Sequence, residues 1–364
     1  MVAQIDRGYI SGLDGIRALA ISVVFVAHAG LGHVVPGGFG VTTFFFLSGY
    51  LITRLLLREH AKFGCISIRA FYERRAMRIF PPFLVTFLVA LLLAYVGILE
   101  GNLNVGAIFA QAFFFSNYYA IYFPTGSSVE GLGILWSLAI EEHFYFVWPF
   151  VFIALQTRKF SISWVLCAIA AILIWRVVRV LVFNSSSEAI YLSTDTRFDS
   201  MLFGCILAFF ASPGRTFYSL RALPTPFILL ITGSALGLLV MSFCIQSTFF
   251  RDTLRYSLQG IALLPLFFFS VERADLKLFG WLNTAVLRWI GRLSYVLYLA
   301  HNVIINGLEY WFSHLLGPLQ IALLALALSL IFAQSVYYFV EAPCARLRKD
   351  MSGHTNTSHD ENKE

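Results

Sequence analysis

The segment "NVGAIFAQAFFFSNYYAIYF", residues 104–123, decides how this chain is threaded. It is apolar and uncharged, and its length matches the roughly 20 residues that cross a bilayer as a helix. If it crosses, the chain has eleven spans; if it does not, it has ten, and every later loop changes sides. The rest of the chain makes the question a membrane question. Of 364 residues 59% are hydrophobic and only 13% charged, with 37 phenylalanines, where a soluble domain carries about 25% charged residues. Apolar runs fill nearly the whole length and leave no room for a large soluble domain.

The other spans are placed near 14–33, 40–57, 79–98, 136–156, 162–183, 198–212, 226–246, 253–272, 288–312 and 317–340. Loop charge then decides the reading of 104–123. Residues 33–39 and 98–135 contain no Lys or Arg, whereas 54–78 holds Arg54, Arg58, Lys62, Arg69, Arg74, Arg75 and Arg78. Positive loops stay cytoplasmic. That places the N-terminus inside, and ten spans bring Arg158/Lys159, Arg215/Arg221, Arg273/Lys277 and the "RLRKD" tail to the same side. Eleven would expose the later basic loops, so 104–123 is read as a re-entrant or interfacial segment. The expected fold is an all-α polytopic bundle of about ten spans over residues 9–347, with a cytoplasmic, disordered tail at 348–364.

The first run is read as a retained span and not a signal peptide, because it is long, begins with an arginine and lacks a small-residue cleavage site. The five cysteines fall within spans or on the cytoplasmic side, so no disulfide is expected. The net charge of +6 follows from orientation and gives no reason to invoke nucleic acid. No internal repeat is visible, which disfavours the many transporters built from inverted repeats.

Ionisable groups inside a membrane are costly and mark a pathway or site. Within "GIRALAISVVFVAHAG", residues 15–30, His28 follows Arg17 by eleven residues, about 20° from three whole turns and roughly 16 Å along a helix. Both lie on one stripe. Ser11 and Asp14 form a candidate cap, and Asp14 stands one turn from Arg17 as a local ion partner. His28 is open to two readings, a hydrogen-bonded packing residue or a group that carries a proton near neutral pH. In "RAFYERRAMRIFPPF", Arg75 and Arg78 lie one turn apart before Pro81-Pro82, which are expected to start the next span. They are either positive-inside anchors or a clamp for a phosphorylated ligand, together with Arg17.

"LWSLAIEEHFYFVWP", residues 135–149, sets Ser137 and Glu141 on one helical face, with Glu142, His143 and Tyr145 beside them. At least one acid should line an aqueous cavity. "TDTRFDSMLFG" brings Asp195, Arg197 and Asp199 to the outer mouth of the sixth span. "LSYVLYLAH" puts Ser294, Tyr298 and His301 on one stripe of the ninth. Glu341, in "FVEAP", ends the last span beside either a cytoplasmic arginine or substrate.

Taken in order, "GLDGIRALAISVVFVAHAG", "GGFGVTTFFFLSGYLIT", "RRAMRIFPP", "WSLAIEEHFYFVWP", "TRFDSMLFG", "LSYVLYLAH" and "YYFVEAP" resemble the membrane-bound acyltransferase family 3, over about residues 9 to 347. That family O-acetylates bacterial surface polysaccharides, lipopolysaccharide, peptidoglycan and some small molecules. The resemblance implies a ten-span bundle in the bacterial inner membrane with both termini cytoplasmic. It implies acyl-CoA, most commonly acetyl-CoA, as co-substrate with no tightly bound cofactor or metal. It also implies a carbohydrate or glycolipid acceptor, envelope-polysaccharide biosynthesis proteins as partners, and Arg17 with His28 and Arg75 with Arg78 as essential pairs. One position departs from the family: Thr42 stands where an acidic residue often follows "GV". The esterase-like domain fused to some relatives is not expected, since the chain stops soon after the last span.

The resulting expectation assigns catalysis to His28 as general base with Arg17, Ser137, Glu141 and Glu142. Donor binding falls to Arg17, Arg75 and Arg78, and Asp14, Ser48, Tyr145, Arg197, Asp199, Tyr298 and His301 complete the pocket. Transfer is direct or passes through an acyl-enzyme. The rival class is a transporter or flippase of lipid-linked sugars or small metabolites, which also needs buried polar groups.

Overall fold

Peptide groups in lipid must be satisfied within the protein, and the chain meets this demand with helices. The computed structural model describes residues 10–124, 129–157, 161–212 and 216–347, among which the one sheet-like pairing is a single bridge between Gly101 and Val129. The tail at 348–364, Arg158/Lys159 and Arg215 lie outside the described residues.

In chain order the helices are α1 (Leu13–Val26), α2 (Gly37–Phe63), α3 (Ile68–Tyr95), α4 (Val105–Ala112), α5 (Ser116–Tyr122), α6 (Leu135–Gln156), α7 (Ser163–Leu181) and α8 (Ser187–Leu192). They continue with α9 (Phe198–Phe210), α10 (Thr225–Cys244), α11 (Thr248–Asp252), α12 (Leu254–Glu272), α13 (Lys277–Gly280), α14 (Ala285–Phe312) and α15 (Pro318–Val336). Eight helical segments are long and apolar enough to cross a membrane. The other two of the expected ten are α9, apolar but only 13 residues long, and α14, which is 28 residues long and strongly two-faced.

Residues 104–123 do not form a span. They fold as α4 and α5, of 8 and 7 residues, each only about 10–12 Å long. The break falls at Phe114, whose φ of 60° is left-handed. Asn104 caps α4 by accepting from Ala107 N, and buried Asn117 ties α5 down by donating to Leu192 O and Thr194 Oγ1.

Helix directions give the same answer independently. Gly291 of α14 packs so tightly on α1 that a Cβ there would lie 2.0 Å from the Asp14 carbonyl oxygen. Further along, Arg17 meets Ser294 and His28 meets His301. Residue numbers rise together, so α1 and α14 run parallel, as first and ninth spans must. The pair α2 and α9 is also parallel: Thr42 meets Arg197, and Gly49 meets the Met201 carbonyl, 1.9 Å from where a Cβ would stand. A crossing at 104–123 would have reversed both relations.

Three local expectations are corrected. Helix α1 is capped at Gly12 and not by Ser11; the Asn283 side-chain oxygen accepts from both Ser11 Oγ and Gly12 N. Helix α3 begins at Ile68, capped by Ser67, so Arg75 and Arg78 belong to the span's own helix and not to a loop. Pro81 and Pro82 therefore lie inside α3. Their missing N–H groups leave the carbonyls of Met77 and Arg78 without helical donors. Finally, α1 gives way to a π-turn at Ala27–Leu31, in which Gly30 has φ 96°.

Candidate functional site

A cleft opens between α1, α2, α3, α6 and α14. Arg17, Arg75 and Arg78 supply three guanidinium groups to its lining, against the single carboxylate of Glu141. Val41, Phe44, Phe45, Leu47 and Leu51 of α2 form an apolar wall. Among the described residues no group of three or more His, Cys, Asp or Glu is arranged to hold a metal ion.

Each polar group has a defined hold. Arg17 Nε donates to Ser294 Oγ at 3.1 Å, an interhelical contact where the sequence suggested a local pairing with Asp14. Charges acting on Asp14 come from Arg17, Arg292, Arg78 and Arg288, so this end of α1 and α14 is strongly basic. The Arg75 guanidinium sits over the Tyr145 ring, its central carbon 3.6 Å from the ring centroid. Such stacking suits a guanidinium and would not suit an ammonium equally. Glu141 accepts from Ser48 Oγ on one oxygen and from Tyr145 Oη on the other, both at 3.1 Å. Ser137 Oγ and Tyr298 Oη are 2.6 Å apart, and both also reach the Ile134 carbonyl.

These contacts order the cleft along α6. From Tyr145 under Arg75 to Ser137 beside Tyr298 is eight residues, about 12 Å. The basic groups stand at one end and the hydroxyl pair at the other. One turn of α14 past Tyr298 comes His301, fully buried, its ring 5.8 Å from that of Tyr298. His301 Nε2 is 3.3 Å from His28 Nδ1. His28 itself is exposed and does not line the cleft.

Of the residues singled out from sequence, Arg17, Ser48, Arg75, Arg78, Ser137, Glu141, Tyr145, Ser294 and Tyr298 line this one cleft. His28, His301, Asp14 and Glu142 adjoin it without lining it. Glu142 Oε1 is buried without a hydrogen-bond partner among the described residues.

Arg197 and Asp199 stand elsewhere. Both are fully buried, Asp199 in a 2.7 Å ion pair with Arg176, which also donates to Ser257 Oγ and the Thr196 carbonyl. Arg197 donates to Thr42 Oγ1 at 3.0 Å within a cage of aromatic rings, Tyr256 being closest at 4.0 Å. These residues fasten α7, α9 and α12 together and α9 to α2. Asp195 faces Trp175 and Arg179 at the surface. The reading from sequence missed Tyr295, which lines the cleft and donates to the Ile79 carbonyl; its signal was the three-residue spacing before Tyr298.

The chain matches the family described as "Acyltransferase domain" over residues 10–338. It is 31% identical over 350 residues to the O-acetyltransferase OatA of Staphylococcus aureus strains NCTC 8325 / PS 47 and COL, covering 92% of this chain and 57% of the relative. A second protein of strain COL, whose naming as an O-acetyltransferase is provisional, is 31% identical over 352 residues with the same coverage. The chain thus spans just over half the length of these relatives. No solved structure matches it significantly.

Proposed function

Since the chain belongs to acyltransferase family 3, we propose that it is a membrane O-acyltransferase. It takes an acyl group, in the first instance acetyl, from cytosolic acyl-CoA to a hydroxyl of a cell-surface or lipid-linked carbohydrate. The proposal includes a bacterial inner-membrane location with both termini cytoplasmic, an orientation that the basic loops support. The observation that carries it is the convergence of Arg17, Arg75 and Arg78, from two helices, on one end of a cleft that ends in hydroxyl groups. Guanidinium groups bind phosphate oxygens bidentately, and the apolar wall of α2 accommodates the pantetheine arm.

In this reading the donor phosphates stay at the arginines and the thioester lies toward Ser137 and Tyr298. The acceptor hydroxyl arrives on the exposed side of His28. Its oxygen attacks the thioester carbonyl carbon while His28 takes its proton. The C–S bond then breaks, and the leaving CoA thiolate recovers the proton from the imidazolium. The Ser137 and Tyr298 hydroxyls direct their hydrogens to each other and to the Ile134 carbonyl. When the thioester enters, one of these hydrogens turns to the developing oxyanion, the interaction that usually contributes most to acyl transfer.

The test is turnover of radiolabelled acetyl-CoA by purified protein supplied with membrane glycolipid. Release of CoA with label on the acceptor is expected, and His28→Ala should lower the rate by about 10²–10⁴-fold, the range for a lost general base, with CoA still bound. Normal turnover by a folded His28→Ala protein would remove the base assignment. Movement of lipid-linked sugar with no CoA cleavage would favour the carrier reading instead.

A further inference from the structure

We propose that His301 is a positioning residue that, together with the Val24 carbonyl, holds the His28 ring and keeps its proton on Nδ1. This rests on the reading of His28 as the base, and it names a residue that the family comparison does not assign to this role.

The argument is one of donors and acceptors. His301 Nδ1 lies 2.8 Å from the Tyr298 carbonyl oxygen and 3.0 Å from that of Leu297. Carbonyl oxygens only accept, so Nδ1 must carry the hydrogen; a bare lone pair there would face two others in a fully buried setting, the costly unsatisfied case. The neutral ring has one N–H. His301 Nε2 is therefore a bare acceptor, and it points at His28 Nδ1 at 3.3 Å. The two rings meet edge to face, 5.1 Å apart at 67°.

His28 Nδ1 thus has two neighbours, His301 Nε2 and the Val24 carbonyl oxygen at 2.9 Å. Both are acceptors, so Nδ1 of His28 holds the proton. Its Nε2 is left with a free lone pair on an exposed ring, the state a general base needs. A second hydrogen bond that fixes tautomer and ring orientation is the usual way of preparing an imidazole for proton transfer. Here a neutral histidine stands where a carboxylate often does. When His28 takes a proton from the acceptor, its Nδ1–H remains on His301 and Val24, and no proton passes to His301.

The backbone explains why the contact is possible. Helix α1 ends in the turn Ala27–Leu31 just where His28 projects, with Gly30 at a left-handed φ of 96°. The seven-residue separation of Ser294 and His301 brings the two α1 contacts onto one face of α14.

Two measurements separate this inference from the acyl-transfer reading. Nitrogen chemical shifts of protein carrying [15N]histidine, with the His28 signals identified by their loss in His28→Gln, read the tautomer without any acceptor. The expected result is Nδ1–H and unprotonated Nε2 on His28, with a larger Nε2–H fraction in His301→Leu, where the Val24 carbonyl is the one acceptor left to hold Nδ1–H. An Nε2–H tautomer in the wild type overturns the proposal even if the protein transfers acetyl groups. Conversely, the expected tautomer without acyl transfer leaves the proposal standing and removes the reaction. The second measurement is kinetic. His301→Leu should lower kcat about 10–100-fold with KM for acetyl-CoA unchanged, and His301→Gln, whose side-chain oxygen can accept from Nδ1–H, should recover most of it. Equal losses in folded Leu and Gln variants, or a rise in KM with kcat intact, overturn it.

Discussion

Replacing Arg75 probes the basic end of the cleft most directly, because its guanidinium is held by stacking 3.6 Å over Tyr145. Arg75→Ala removes a cation and a planar fork but leaves Tyr145 and the Glu141 contacts in place. A hydrogen bond to a charged group is worth about 1.5–3 kcal/mol, and each 1.4 kcal/mol is about tenfold in affinity. The dissociation constant for CoA should therefore rise roughly 10–100-fold. Arg75→Lys keeps the charge but loses bidentate geometry and stacking, so it should recover only part of the loss.

Titration of CoA into purified, correctly inserted protein measures this, with Arg69→Ala as control. Arg69 is on the same helix and near the same membrane face, but it is exposed and paired with Glu73 outside the cleft. A positive-inside anchor predicts similar behaviour for Arg69 and Arg75, full tolerance of Lys, and effects on insertion only. A phosphate site predicts that Arg75 and Arg78 differ from Arg69. Unchanged CoA affinity in both Arg75→Ala and Arg78→Ala would refute the phosphate reading and return these arginines to topology.

Asp199→Asn should destabilise the protein by about 3–5 kcal/mol, the cost of leaving a buried charge without its partner, and is read as a lowered unfolding temperature with CoA affinity unchanged. Thr42→Val removes the side-chain acceptor of buried Arg197, leaving it the Tyr191 carbonyl, and should cost about 1–3 kcal/mol; Thr42→Asp, which puts an acid at that position, should not lower the unfolding temperature. For topology, a cysteine introduced at exposed Glu130 should label only from the outer side and native Cys65 only from the cytosol; labelling of both from one side would refute the ten-span threading.

Those positions also show what the sequence could and could not reveal. Span number was legible because loop charge is a property of sequence, and the broken helices at 104–123 agree with it. The facing of Ser137 with Glu141, and of Ser294 with Tyr298, was legible because each pair is set by the 3.6-residue period of one helix. Arg197 and Asp199 looked like mouth residues because sequence reports polarity but not partners. Their partners, Thr42, Arg176 and Ser257, come from α2, α7 and α12. The extension of α3 back to Ile68 was hidden by Pro81-Pro82, read as a start signal where neighbouring helices tolerate the prolines within the span. The π-turn breaks the regular period and leaves no periodic trace.

The two groups of arginines differ in their surroundings, one buried between helices and the other lining a cleft, and that difference makes a last prediction. Arg176 directs its terminal nitrogens to Asp199, Ser257 and Thr196, all protein groups, with its charge paired to Asp199. Arg17, Arg75 and Arg78 bring three guanidinium groups to the lining of one cleft, and guanidinium groups gathered in this way suit an anionic occupant. A ligand that binds only the folded state stabilises it by about 2.7 kcal/mol at one hundred times its dissociation constant. CoA should therefore raise the unfolding temperature of the purified protein, and 3′-dephospho-CoA should raise it less at the same concentration, because it offers one phosphate fewer to the basic end. In Arg75→Ala the CoA shift should shrink, while in Asp199→Asn the baseline falls but the shift persists. Equal shifts with CoA in wild type and Arg75→Ala would mean that the nucleotide binds elsewhere, and the cleft would lose its role as the donor site.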